Sequence, residues 1–174
     1  MELNTAVSLI RKGLNNIISS TWADLGCGSG TFTQALAVLL PEGSTIYAVD
    51  NKKSALEKLH IGPFVNLKKV KADFIHDFNP EAPIDGILMA NSLHFVKDKT
   101  GFIRKADTWL KESGSILLVE YDMDTPNPWV PYPISFYTAT QLFTNLHYPL
   151  IEKTGELPSI YNRAGFYSML VKKA

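Results

Sequence analysis

The chain has 174 residues, 45% of them hydrophobic and 20% charged, which predicts a single globular domain spanning residues 1–174. Its 17 basic and 17 acidic residues cancel, so net charge gives no reason to expect a nucleic acid or an anionic membrane as partner. The only cysteine, Cys27, excludes an intramolecular disulfide and a cysteine-rich zinc site. The four histidines lack metal-ligand spacing, so we expect no metal.

No apolar run approaches the ~18 residues that a membrane helix needs. The first twenty residues also lack the continuous apolar core and small-residue cleavage site of a signal peptide. A reducing cytoplasm is therefore the expected location.

Helix-like and strand-like segments then follow one another in chain order. Apolar residues at helical spacing predict a first helix between residues 3 and 18. The strand-like segments that follow are 21–25, 44–50, 66–73, 84–90 and 115–121. The helix-like segments between them are 31–40, 53–60 and 99–113, and Gly114 is expected to end the last one. This alternation predicts βαβ units in a parallel sheet, with the polar strand 66–73 at an edge.

The pattern changes after residue 121. Residues 122–135 hold four of the ten prolines, which excludes a regular helix there. The segment is either a stiff surface loop or a wall of a binding site, because it directly follows a core strand. A helix at 135–148 and strands at 148–157 and 165–173 complete the prediction.

A glycine-rich turn, D-x-G-x-G-x-G from Asp24 to Gly30, connects the first predicted strand with the next helix. Glycines permit a sharp turn and let a ligand approach the backbone, while the helix points free N–H groups at that ligand. In open α/β sheets, ligands bind outside the carboxyl ends of the strands. The dinucleotide fingerprint G-x-G-x-x-G would need a glycine where this chain has Thr31.

The Asp24–Gly30 spacing resembles the first motif of the class I S-adenosylmethionine-dependent methyltransferases, and further matches follow in order over residues 20–125. The resemblance implies an α/β fold with a Rossmann-like, open, mostly parallel seven-stranded sheet, helices on both faces and an antiparallel last strand. It also implies S-adenosylmethionine as cofactor. The implied cofactor-binding residues are Asp24, Gly26, Cys27, Gly28, Ser29, Gly30, Asp50, Asn51, Asp73, Phe74, Asn91, Ser92 and Leu93.

The resemblance assigns these residues to parts of the cofactor. The glycine turn would wrap the methionine part, whose ammonium suits a nearby Asp24. Asp50 would accept hydrogen bonds from two ribose hydroxyls, although dehydrogenases also place an acid there. Asp73 would accept from the adenine amino group, with Phe74 beside the ring. Residues 91–94 match the fourth motif, where the cofactor meets the substrate.

The same motif constrains the reaction. It lacks the Asn-Pro-Pro-aromatic sequence of enzymes that methylate planar amino groups, and Cys27 lies in the cofactor turn rather than at the place of a cytosine-methylating nucleophile. No separate substrate domain is apparent, so the acceptor is expected to be a small molecule or to be reached through a partner. His94 is the candidate general base, or a packing residue. Glu120, Tyr121 and Asp122 end the predicted fifth strand and are expected to face the site, where they would hold a substrate amine or hydroxyl or only cap the strand.

The predicted substrate-binding residues are Tyr121, Trp129, Tyr161 and Arg163. Arg163 would suit a carboxylate or phosphate on the acceptor, or would pin the last hairpin to the proline-rich segment. Two alternative functions stay open at this point. One is an NAD-dependent oxidoreductase, and the other is a methyltransferase-like protein that binds the cofactor without catalysis.

Overall fold

The computed structural model of the protein describes residues 1–15, 18–158 and 164–173. The helices are α1 (Leu3–Arg11), α2 (Thr31–Leu39), α3 (Lys53–Lys58), α4 (Lys99–Asp107) and α5 (Phe136–Asn145). The strands are β1 (Thr21–Leu25), β2 (Thr45–Asp50), β3 (Asn66–Lys71), β4 (Ile84–Ala90), β5 (Leu110–Tyr121), β6 (Leu150–Leu157) and β7 (Phe166–Lys172). Short 3₁₀ turns cover Lys12–Leu14 and Leu93–Phe95.

The seven strands form one sheet in the order β3-β2-β1-β4-β5-β7-β6. The first five are parallel, while β7 lies antiparallel between β5 and β6. The predicted Rossmann-like sheet with an antiparallel last strand is confirmed, and so is the edge position of the polar strand β3. Because β1 to β5 are parallel, their carboxyl ends meet along one edge of the sheet.

Each face of the sheet carries its own apolar core, because successive strand side chains point to opposite sides. In β1, Trp22 packs on the face covered by α1 and α2, while Ala23 and Leu25 pack on the face covered by α4 and α5. Gly86 of β4 pairs with Trp22, and a Cβ there would lie 2.5 Å from the Trp22 ring. The indole therefore packs directly on the glycine of the neighbouring strand.

The predicted helix at residues 99–113 is wrong in its second half. Helix α4 ends at Asp107, and β5 already begins at Leu110, so Gly114 lies inside a strand. Trp109 and Leu110 are buried and turn into the core, and the Trp109 carbonyl accepts a hydrogen bond from the Ile84 N–H at 2.8 Å. Pairing with β4 therefore overrides the helical pattern. The register shift between Ile84 and Gly86 accommodates the exposed residues that follow Leu110.

The proline-rich segment 122–135 is irregular, as predicted, with one isolated bridge between Asn127 and Val130. Two carboxylates fasten its ends. Asp122 accepts from the Phe136 N–H at 2.8 Å, and Asp124 accepts from the Ser135 N–H at 3.0 Å. The described helices include none that is long and apolar enough to cross a membrane.

Candidate cofactor and acceptor site

A cleft of about 650 Å³ lies at the carboxyl edge of the sheet, where β1 to β4 end. It is lined by backbone and side chains from the turns that follow these strands. Ten predicted cofactor residues line it: Gly26, Cys27, Gly28, Ser29, Asp50, Asn51, Asp73, Phe74, Asn91 and Ser92. The structure thus brings four separated stretches of sequence to one site.

The glycines of the turn have different surroundings. Gly28 has φ +52°, and among the described residues no atom lies within 4 Å of where its Cβ would be, so its backbone faces open space in the cleft. Gly30 has φ +86° and begins α2, but a Cβ there would overlap the side chain of Leu59. Gly30 is not among the residues that line the cleft. Its place in the turn is therefore explained by packing against Leu59.

Asp50 links the end of β2 to this turn. One of its carboxylate oxygens accepts from the Gly28 N–H, and the other accepts from the Lys52 N–H, both at 2.8 Å. The Val49 carbonyl accepts from the N–H groups of Gly26 and Cys27 at 2.8 and 3.0 Å. The turn is thus held from the second strand, and its shape does not depend on its own residues alone.

Asp24 lies below the turn, 1% exposed, and does not line the cleft. Its carboxylate accepts a hydrogen bond from the Thr33 hydroxyl at 2.6 Å. Burial raises the pKa of Asp24 to about 7; the bond from Thr33 opposes the shift and the charge of Asp50 adds to it. Burial also raises the pKa of the Cys27 thiol, so this cysteine is a poor nucleophile.

Asp73 and Phe74 follow β3 at the far end of the cleft. One oxygen of Asp73 accepts from the Ile75 N–H at 2.8 Å, which closes a local turn. Phe74 is buried edge-on against Phe102 of α4, with ring centroids 5.7 Å apart. The packing against Phe102 holds the Phe74 ring in place in the wall of the cleft.

The turn after β4 carries two polar atoms without partners. Asn91 Oδ1 and Ser92 Oγ are buried, and neither has a hydrogen-bond partner in the described part of the chain. Asn91 has φ +55°, a backbone conformation that is uncommon for a residue other than glycine. Both residues line the cleft, whereas Leu93 is fully buried behind it. A buried polar group without a partner costs about 1–3 kcal/mol, which a bound polar ligand would recover.

His94 is 3% exposed and does not line the cleft. Its Nδ1 lies 2.7 Å from Oε2 of Glu120, and its backbone N–H donates to Oε1 of the same carboxylate at 3.2 Å. The prediction of His94 from residue type and position did not include this partner, because Glu120 lies 26 residues further along the chain. The cleft-lining Phe95 was also not predicted.

The predicted acceptor residues lie beside the cleft or outside the described residues. Tyr121 packs on Phe166, with ring centroids 4.4 Å apart, and its pKa is raised by burial and by the charge of Glu120. Trp129 is 75% exposed on the proline-rich segment. Neither lines the cleft. Tyr161 and Arg163 lie outside the described residues. Within the described residues, no group of three His, Cys, Asp or Glu side chains is placed to hold a metal ion.

Comparison with known proteins agrees with this geometry. A protein family described as "Methyltransferase domain" matches residues 8–173. No curated protein sequence matches significantly.

Many solved structures share the fold. The YcgJ protein from Bacillus subtilis aligns over 98% of both chains at 14% identity, with a TM-score of 0.74. A 1,6-didemethyltoxoflavin-N1-methyltransferase from Burkholderia thailandensis, solved with 1,6-didemethyltoxoflavin and S-adenosylhomocysteine, aligns over 99% of this chain and 78% of its own at 17% identity, with a TM-score of 0.74. A SAM-dependent methyltransferase from Aquifex aeolicus aligns over 99% and 97% at 16% identity, with a TM-score of 0.66.

The family match argues against one alternative function that the sequence left open, that of an NAD-dependent oxidoreductase. It spans most of the chain, including all the strands that build the cleft. The strand order and the antiparallel seventh strand agree with the expectation from the motifs. The chain therefore belongs to the methyltransferase-domain family, among the class I S-adenosylmethionine-dependent methyltransferases.

Proposed function

We propose that this protein transfers a methyl group from S-adenosylmethionine to a small-molecule acceptor by in-line displacement. The observation that carries the proposal is the pair of unpartnered buried atoms, Asn91 Oδ1 and Ser92 Oγ, on the wall of a cleft built by the glycine turn. Buried polar groups are normally paired, so these atoms support a polar ligand at this place.

The residues around these atoms fit the proposed cofactor. The open space at Gly28 leaves room for the methionine part against the backbone of the turn. Asp50 uses each oxygen once, and a carboxylate has about four acceptor positions, so a ribose diol can still bind there. Asp73 also lines the cleft, beside Phe74, and would receive the adenine amino group.

The remaining predicted residues have indirect roles in this proposal. Asp24 lies below the turn and would act on the cofactor ammonium without contact, and only in its ionised form, because its pKa is raised to about 7 by burial. Cys27, Ser29 and Asn51 line the cleft and would contribute to its shape. Gly30 and Leu93 would support the two turns from behind.

When bound, the cofactor supplies a methyl group already activated on a sulfonium. The protein therefore has to align the acceptor and exclude water rather than create an electrophile. The turn after β4 is the proposed meeting point, because it lines the cleft and leads into His94 and Phe95. His94 is the proposed proton acceptor.

A small-molecule acceptor agrees with the Burkholderia structure of the same fold, which was solved with 1,6-didemethyltoxoflavin. The proposed acceptor wall is Tyr121 and the proline-rich segment with Trp129. That segment is fastened beside the cleft, because the Tyr132 N–H donates to the His94 carbonyl at 3.0 Å and Lys99 donates to the Tyr132 carbonyl at 2.6 Å. Tyr161 and Arg163 stay proposals from the sequence.

A labelled-methyl assay tests the proposal. The protein is incubated with tritiated S-adenosylmethionine and a small-molecule extract, and the products are separated from the protein. Label in a small molecule, absent when Gly28→Val replaces the wild type, is the expected result. Tight binding of S-adenosylhomocysteine without a labelled product from any extract would instead favour the non-catalytic alternative.

A further inference from the structure

Glu120 and His94 form a buried pair beside the cleft. The Glu120 side chain is 1% exposed, and that of His94 is 4% exposed. The Glu120 carboxylate contacts both the backbone and the side chain of His94. Its Oε1 accepts a hydrogen bond from the His94 backbone N–H, and its Oε2 lies 2.7 Å from Nδ1 of the ring. The glutamate therefore fixes the position of the His94 backbone and the orientation of its ring together.

The geometry also selects the position of the ring proton. An ionised carboxylate can only accept hydrogen bonds, so Nδ1 must carry the hydrogen that it donates to Glu120. In this tautomer the neutral imidazole has its lone pair on Nε2.

His94 does not itself line the cleft, but it contacts a residue that does. Its ring packs on Phe95, with centroids 4.4 Å apart, and Phe95 lines the cleft and is 52% exposed. Tyr121 packs near the ring at 6.2 Å. Asn91 and Ser92, whose unpartnered atoms line the cleft, directly precede this turn. The pair is thus close to where the proposed methyl transfer would occur.

We propose that Glu120 is a positioning residue that keeps His94 as the Nδ1–H tautomer, so that Nε2 takes a proton from the acceptor. The inference rests on the proposed function and names the acceptor class: a hydroxyl or N–H compound that must lose a proton when it is methylated. As the bond from oxygen or nitrogen to methyl forms and the methyl–sulfur bond breaks, the acceptor proton moves to Nε2. The imidazolium that results is stabilised by the Glu120 carboxylate.

The variant Glu120→Gln tests the control of the His94 tautomer separately from packing, because glutamine has nearly the same size and shape as glutamate. Its amide oxygen would accept from the His94 backbone N–H, which needs a partner in this buried place. The amide NH₂ group would then face Nδ1 as a donor. Nδ1 would become the acceptor and Nε2 would carry the proton, which removes the proposed base without removing the histidine.

The first measurement is the tautomer of His94 by ¹⁵N NMR, recorded under mildly alkaline conditions on the protein bound to S-adenosylhomocysteine. We expect Nδ1–H in the wild type and Nε2–H in Glu120→Gln. A wild-type Nε2–H tautomer would overturn the inference, and so would the same tautomer in both proteins. A wild-type spectrum of the Nε2–H tautomer would overturn the inference even if the variant does not fold.

The second measurement is the rate of labelled-methyl transfer to the product found with the wild type. Glu120→Gln is expected to lower this rate by about 100-fold, since a positioned general base contributes on the order of 10²–10⁴ in rate. The affinity for S-adenosylhomocysteine should stay within twofold. The control is Glu112→Gln, on an exposed position of the same strand, which should behave as the wild type.

A Glu120→Gln rate within twofold of the wild type would show that the pair is only structural. If the wild type itself labels no small molecule, the proposed function fails. The tautomer measurement still judges the role of Glu120 in that case.

Discussion

The two ends of the cleft are built in different ways. At the cofactor end, most of the predicted polar residues lie at or just after the ends of neighbouring parallel strands, where Asp50 and Asp73 accept hydrogen bonds from backbone N–H groups. At the acceptor end, the contacts join distant parts of the chain, such as His94 with Glu120 and Lys99 with Tyr132. The positions of the cofactor-end residues therefore follow from the pattern of parallel strands and turns, with the glycine turn also held from β2, whereas the acceptor end depends on how the loop after β5 packs.

The largest expected effect is at Gly28. Gly28→Val should lower the affinity for S-adenosylhomocysteine more than about 1000-fold, because the side chain would occupy the cleft and a β-branched residue opposes a positive φ. Calorimetry measures the affinity. Gly43→Val, at φ +82° but not among the cleft residues, reproduces the backbone strain. An equal loss of affinity in the two variants would mean that backbone strain, and not the space in the cleft, causes the loss.

Asp50 comes next, since it both holds the turn and offers the proposed ribose contact. Asp50→Ala should weaken binding of S-adenosylhomocysteine by about 3 kcal/mol, roughly 100-fold, through loss of charge-assisted hydrogen bonds. A deoxyribose analogue separates the two roles. If the wild type binds that analogue as well as the parent compound, Asp50 acts only on the turn and the ribose assignment is wrong.

Asp24, at the cofactor end, should make the free energy of unfolding depend on pH. Its pKa is raised from the ordinary 3.8 to about 7 in the folded state, so the folded protein holds a proton that the unfolded chain loses between these values. The free energy of unfolding should therefore fall as pH rises through this range. Asp24→Asn cannot titrate, and between pH 5 and pH 8 it should remove about 3 kcal/mol of that fall.

Urea unfolding at about pH 5 and pH 8 measures the Asp24 effect. Asp77→Asn, at an exposed position, is the control and should keep the wild-type pH dependence. An identical pH dependence in Asp24→Asn and the wild type would show that the buried carboxyl does not titrate in this range.

The smallest expected effect lies at the acceptor end. Trp129→Ala should raise the KM for the acceptor about 3- to 10-fold, because one exposed aromatic wall loses about 1 kcal/mol of contact. The affinity for S-adenosylhomocysteine should not change. Phe64→Ala removes a similarly exposed ring ahead of β3, at the opposite edge of the sheet, and should leave the KM unaltered. An equal rise of the KM in both variants would show that the proline-rich segment is not part of the acceptor site.

The same contrast explains what was predictable from the sequence. Asp50 and Asn91 were predictable because the first ends a strand and the second follows one, and parallel strands bring their carboxyl ends together. The packing of Gly30 against Leu59 was not, since a glycine in such a motif can serve either a ligand or a neighbour. The start of β5 at Leu110 was missed because strand pairing with β4 overrode a helical pattern.

The acceptor end was less predictable for a physical reason. His94 was identifiable by residue type, but its tautomer depends on Glu120, and no spacing rule connects the two positions. The hydrogen bonds of Tyr132 with Lys99 and with the His94 carbonyl also join separate segments of the chain. Such contacts depend on tertiary packing, which a periodic pattern of apolar residues does not encode.

Titration calorimetry with S-adenosylhomocysteine and with NAD tests the central claim most directly. A cleft formed by the glycine turn, Asp50 and the turn after β4 should bind S-adenosylhomocysteine with a stoichiometry of one and should not bind NAD. Loss of that binding in Gly28→Val, with the fold intact, would locate it in the cleft. Binding of NAD without binding of S-adenosylhomocysteine would contradict the account.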